Sequence, residues 1–162
     1  MAEERTRSQE AVERVRKEVD EVTSQENEVA AAKRCGFLLK KSVHKRRASF
    51  GGSSWRKRWF VAEEHAHEVY YFAHEADASA GDRKPSGAIF LAPDSTIRLN
   101  RCTLQLTGCC HWSASHSEPK LVPVIQLKAD TPEEAMQWLR TLSERISNPD
   151  HDFATRAGKA LA

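Results

Sequence analysis

Gly36-Phe-Leu-Leu-Lys-Lys41 and Trp55-Arg-Lys-Arg-Trp-Phe-Val61 are two strand-like runs, separated by a loop that ends in Gly51-Gly52-Ser53-Ser54. The first is a short apolar run closed by two lysines. The second alternates. Arg56, Arg58 and Phe60 fall on one face, and Trp55, Lys57, Trp59 and Val61 on the other, because successive strand side chains point to opposite sides. Between Lys40 and Arg58 lie eight basic residues (Lys40, Lys41, Lys45, Arg46, Arg47, Arg56, Lys57 and Arg58) and no acidic one. The other 143 residues hold 17 basic and 23 acidic side chains, so a chain of formal charge +2 concentrates +8 in 19 residues. A field that asymmetric attracts polyanions: phosphorylated lipid headgroups, an acidic membrane surface or nucleic acid. Nucleic-acid binding fits better with cations spread over a face among aromatics. Here they gather at one loop end, and no nucleic-acid partner is expected.

Outward from this hairpin the strand-like period continues. Val69–Phe72, Gly87–Leu91, Thr96–Leu99, Thr103–Leu106 and Val122–Lys128 bring the number of short strands to seven. Pro123 belongs at the start or edge of its strand, because it lacks a donor. Short strands joined by turn residues predict an antiparallel sandwich or barrel. Ala73–Ser86 reads as a polar loop. Thr131-Pro132-Glu133-Glu134 fits a capping box, with Thr at the N-cap and Pro at the first helical position. Ala135, Trp138, Leu139, Leu142 and Ile146 then form one apolar helical face, which Asn148-Pro149 ends. Residues 1–34 form a charged helical extension, in part a frayed tail. Val12, Val15, Val19 and Val22 line one narrow stripe there, interrupted by Glu26. That stripe is either one edge of a solvated helix or a surface for self-association or a protein partner. The domain boundaries are therefore 1–34, 35–147, and a flexible tail over 148–162.

Composition excludes several classes. Cysteines at 35, 102, 109 and 110 lack framework spacing, and no signal peptide precedes them, so reduced cytosolic thiols are expected. No apolar run approaches the ~18–20 residues that span a bilayer. Neither N-myristoylation nor prenylation is indicated, so membrane contact would be peripheral. Cys109, Cys110, His111 and His116 lack zinc-ligand spacing. No catalytic constellation, metal site or cofactor is expected.

The strands and the closing helix resemble a pleckstrin homology (PH) domain. Gly36-Phe-Leu-Leu-Lys40 looks like the family's opening strand, Trp55–Val61 its second and Val69–Phe72 its third. Gly87-Ala-Ile-Phe-Leu91 resembles its Gly-x-Ile-x-Leu fourth strand. Ala129–Glu134 with Trp138 resembles its last turn and tryptophan-bearing helix. The likeness covers about 35–147, with Gly108–Leu121 the one anomalous stretch. It implies a mainly β fold, a bent seven-stranded antiparallel barrel closed by a C-terminal helix. It also implies a phosphoinositide site at the barrel's other end. Lys40, Arg56 and Arg58 match the family's basic pattern, and Tyr71 a strand 3 tyrosine that helps bind a phosphate in some members. Ser86 stands where some 3-phosphoinositide binders carry a cation, with Arg83 and Lys84 slightly earlier.

A guanidinium fork and a lysine on rigid strands suit a cluster of phosphate dianions. Lys41, Lys45, Arg46, Arg47, Lys57 and Lys84 add attraction to an anionic surface, and Val43 and Phe50 suit shallow insertion. Arg46-Arg47-Ala48-Ser49 resembles a basophilic kinase target. Phosphorylation of Ser49 would weaken membrane attraction by adding negative charge. The reading is a non-enzymatic signalling adaptor module, cytoplasmic and peripheral to a membrane, with phosphoinositides or an anionic membrane as partner. The alternative is a protein-interaction module on the same fold.

Overall fold

The computed structural model describes residues 2–42, 54–115 and 118–147. Its organising element is the hairpin of β1 (Arg34–Lys41) and β2 (Trp55–Ala62), paired continuously from Arg34 opposite Ala62 to Lys41 opposite Trp55. β3 (Glu68–Phe72) and β4 (Gly87–Phe90) continue it as an antiparallel meander. A single turn of helix, α2 (Glu75–Ser79), sits in the connection read as a polar loop. β5 (Thr96–Asn100) and β6 (Thr103–Thr107) form a second hairpin.

The described residues form nine strands where the sequence pattern predicts seven. The additional two come from bends. β6 continues through Gly108 into β7 (Cys109–Ser113), inside the anomalous stretch. Gly108 has φ +72°, a backbone that strains any residue with a Cβ. The single strand expected over 122–128 is likewise divided into β8 (Lys120–Val122) and β9 (Ile125–Lys128). Pro123 lies at the break, where its missing N–H costs no ladder bond. The product is one long bent hairpin. Its near half pairs β9 with β1, and its far half pairs β7 with β4. It thereby bridges both edges of the β1–β4 meander and closes the barrel, in the order β5-β6-β9-β1-β2-β3-β4-β7-β8.

Leu38, Phe60, Val69, Ile89, Leu104, Leu106, Ile125 and Leu127 fill the interior. α3 (Pro132–Ser147) plugs one end, inserting Ala135, Trp138 and Leu142. Thr131 caps it as expected: the amide of Glu134 donates to Thr131 Oγ1 at 3.2 Å. α1 (Ala2–Ala31) is one long helix, on which Val12, Val15, Val19 and Val22 are each more than half exposed. Its end is fastened by Arg145 of α3, which is fully buried. Arg145 donates to the carbonyls of Ala30 (2.8 Å), Ala32 (2.9 Å) and Glu63 (2.9 Å), and pairs with Glu144. The last carbonyls of a helix have no partner within it, and this guanidinium supplies one. Among the described residues no helix is long and apolar enough to cross a membrane.

Candidate functional site

The end of the barrel opposite α3 is where β1 runs out and β2 begins. Lys40 stands opposite Arg56, and Leu38 opposite Arg58. Alternation puts all four on the inner face together with Phe60. From Phe60 a row continues to Tyr71 on β3, Gly87 on β4 and Ser113 on β7. The apolar core thus gives way, at the rim, to Lys40, Arg56 and Arg58.

Lys40 is only 8% exposed. Its ammonium sits 5.4 Å from the centre of the Tyr71 ring and makes one long contact, 3.4 Å, to the Lys41 carbonyl. Burial, and then the neighbouring Arg58, push its pKa down from 10.5 to about 8. Arg58 is half-buried and donates to the Lys57 carbonyl at 3.1 Å, while Arg56 is exposed. Among the described residues none of these three cations makes an ion pair. The segment linking their strands contains no acid either. The arrangement is a concentrated positive potential in a partly desolvated rim, which is where a phosphate gains most from charge-assisted hydrogen bonds.

Tyr71 forms the floor. It is 5% exposed, and burial raises its phenol to about 12, against the lowering effect of Arg58. Its hydroxyl lies 2.7 Å from Nε2 of His111 on β7, with the two rings nearly parallel. Gly87 makes this possible: a Cβ there would collide with the Tyr71 hydroxyl. Tyr71 was expected to touch phosphate. The structure brings it to Lys40 through the face of its ring, with its hydroxyl directed at His111.

The remaining cations divide by face. Lys41 and Lys57 lie on the outer face, their ammoniums 5.9 Å from the Trp55 ring and 4.4 Å from the Phe37 ring. Lys84 is exposed in the connection before β4. The expectations placed on Val43, Lys45, Arg46, Arg47, Ser49 and Phe50 lie outside the described residues. Three residues were missed: His111, Ser113 and Lys120, carried to the rim by β7 and β8. β7 gave no signal, because Cys109-Cys-His-Trp-Ser113 has no clean apolar alternation, and Lys120 in β8 precedes the strand expected over 122–128.

The fold is a bent antiparallel barrel, plugged by a helix at one end and cationic at the other. The family model for the PH domain matches residues 32–147, and the chain belongs to that family. Among solved structures it is similar to the PH domain of human oxysterol binding protein-related protein 11, with 21% identity, TM-score 0.49, and coverage of 70% of this chain and 79% of that one. It is also similar to the C-terminal PH domain of pleckstrin in complex with D-myo-Ins(1,2,3,5,6)P5, with 22% identity, TM-score 0.47, and coverage of 71% and 94%. A third is the Slm1 PH domain in complex with D-myo-inositol-4-phosphate, with 18% identity, TM-score 0.49, and coverage of 71% and 95%. No curated protein matches the chain.

Proposed function

We propose that this PH domain binds the phosphorylated headgroup of a phosphoinositide at the open end of the barrel, and so holds the protein peripherally on the cytoplasmic face of an acidic membrane. The observation that carries the reading is Lys40: a cation 8% exposed, beside Arg58, with no carboxylate partner among the described residues. Desolvating an ammonium without an anion is unfavourable. A phosphate between Lys40 and Arg58 removes that penalty, and it gains a point charge and a guanidinium fork held on two rigid strands. Arg56 reaches the same headgroup from the rim, and Tyr71 supports Lys40 from beneath. Lys41, Lys57 and Lys84, with Lys45, Arg46, Arg47 and Phe50, add attraction that does not select a headgroup. Ser49, when phosphorylated, reduces it.

Soluble inositol phosphates titrated by calorimetry test the pocket. Arg58→Ala is expected to weaken binding by about 1.5–3 kcal/mol, the range for a charge-assisted bond. Lys45→Ala is expected to cost about 1 kcal/mol or less. Equal losses would reduce the site to bulk charge. Liposomes matched for surface charge give the second check: phosphoinositide vesicles are expected to bind more tightly than phosphatidylserine vesicles.

A further inference from the structure

α1 is about 45 Å long, and only its last turns lie beside the helix that plugs the barrel. Every residue from Thr6 to Val29 is exposed, and burial begins at Ala30, whose carbonyl Arg145 holds. A projecting helix is marginal in water, because most helical stability in proteins comes from packing one face. This helix has a face to pack. Val12, Val15, Val19, Val22 and Val29 are 55–65% exposed and recur every three or four residues, with Glu26 in the one place between them that lacks a valine. The inner end of the stripe, at Val22, Glu26 and Val29, borders a groove whose other wall includes Gln137 and Arg140 of α3.

Charge decides what covers it. The cations of α1 end at Lys17, and the charged residues from Glu18 to Glu28 are all acidic. Among the described residues neither Arg16 nor Glu26 makes an ion pair. Val12, Val19 and Glu26 take the a positions of a heptad, and Val15, Val22 and Val29 the d positions. A parallel second copy stacks Glu26 on Glu26. An antiparallel copy sets a opposite d, and one step forward on a helix is one step back on its partner. With Val19 level with the partner's Val22, Val12 is level with the partner's Val29, and Val15 with its Glu26. All five valines are then covered. Each Glu26 lies one residue from the level of the partner's Arg16, an e position on the same side of the seam, so two-fold symmetry makes two ion pairs. Arg14 and Lys17 come level with the partner's Asn27 and Ser24, among its acids. Sliding the pair by one heptad faces Arg16 with its own copy and sets Val29 against Arg5.

We propose that the valine stripe of α1 binds a second copy of this chain as an antiparallel helix pair, with Val19 level with the partner's Val22 and Arg16 paired with the partner's Glu26. The proposal does not rest on the lipid reading. The partner's Val12 and Val15 come level with Val29 and Glu26, and so enter the groove beside Gln137 and Arg140. The seam thus takes in the plug helix as well as α1. The two barrels stand at opposite ends of the pair, with the two Ala31 residues about 30 Å apart along it.

Sedimentation of the full chain up to hundreds of micromolar tests it, and a concentration-dependent dimer is expected. Val19→Glu/Val22→Glu places acids in the central layers and is expected to give a monomer. Both positions are exposed on α1, so the near-ultraviolet circular dichroism of the barrel should not change. The decisive variants are Arg16→Glu and Glu26→Lys. Each turns two ion pairs into two like-charge contacts, and each alone is expected to weaken dimerisation about tenfold. Mixed in equal amounts, the two are expected to recover wild-type dimerisation, because each chain then carries the complement of the other. A wild-type chain that stays monomeric throughout overturns the proposal. So does Arg16→Glu without effect, or Glu26→Lys that dimerises as well as the wild type or better, since either removes the antiparallel pairing. A mixture no better than its components overturns it too. Failure of headgroup binding at the pocket would leave all of these results unchanged.

Discussion

Two buried cations stand near opposite ends of this barrel, about 20 Å apart along β1, and their surroundings differ. Arg145, at the plugged end, is fully buried and donates to three carbonyls as well as pairing with Glu144. Lys40, at the open end, is 8% exposed and has a ring face and one long carbonyl contact. The first joins α1, the turn after β2 and α3 into one body. The second carries a charge that no carboxylate among the described residues answers, and burial, then Arg58, lowers its pKa to about 8. A buried cation with four of its five donors engaged belongs to the architecture. One with a single long hydrogen bond among the described residues marks a place for an anion.

The sharpest way to break this contrast is to remove both cations in turn. Arg145→Met leaves several buried carbonyls without donors, and an expected loss of about 3–5 kcal/mol follows. Thermal or urea unfolding measures it, and a loss under about 1 kcal/mol would mean that the joint is decorative. Lys40→Met should act in the opposite direction. It removes a desolvated charge, so the domain is expected to gain about 1–3 kcal/mol at neutral pH while headgroup binding falls at least tenfold.

The pH dependence carries the same sign. The folded pKa of about 8 lies below the ordinary lysine value of 10.5, so between these values the unfolded chain binds the extra proton. Wild-type stability should therefore rise with pH across that window. The lysine's destabilisation is fully present below pH 8. Lys40→Met should lack that slope, and unfolding midpoints measured across the window for both proteins would show it.

Tyr71→Phe is the smallest of these effects. It removes the bond to His111 and leaves the ring beneath Lys40, so stability should drop by about 1 kcal/mol with headgroup affinity nearly unchanged. A large loss of affinity would mean instead that the hydroxyl turns to the phosphate.

Much of this was readable along the chain because the signals were local. Alternation in Trp55–Val61 located β2 and assigned Arg56 and Arg58 to one face, as the register bears out. Thr131 and Glu134 marked the start of α3. What escaped was long-range. Tyr71 and His111 are 40 residues apart, and only the bend at Gly108 brings β7 to β4. Arg145 reads as an ordinary cation in a last helical turn, and its burial depends on α1 arriving above it.

The central claim is that Lys40 is a desolvated cation whose missing partner is a phosphate. Its side-chain nitrogen can be titrated by NMR in the free protein and with inositol hexakisphosphate bound. The account expects about 8 in the free protein, and a rise of two units or more on binding, as desolvation is offset by the anion. An ordinary lysine value in the free protein, or a value near 8 that does not move with ligand, would contradict it.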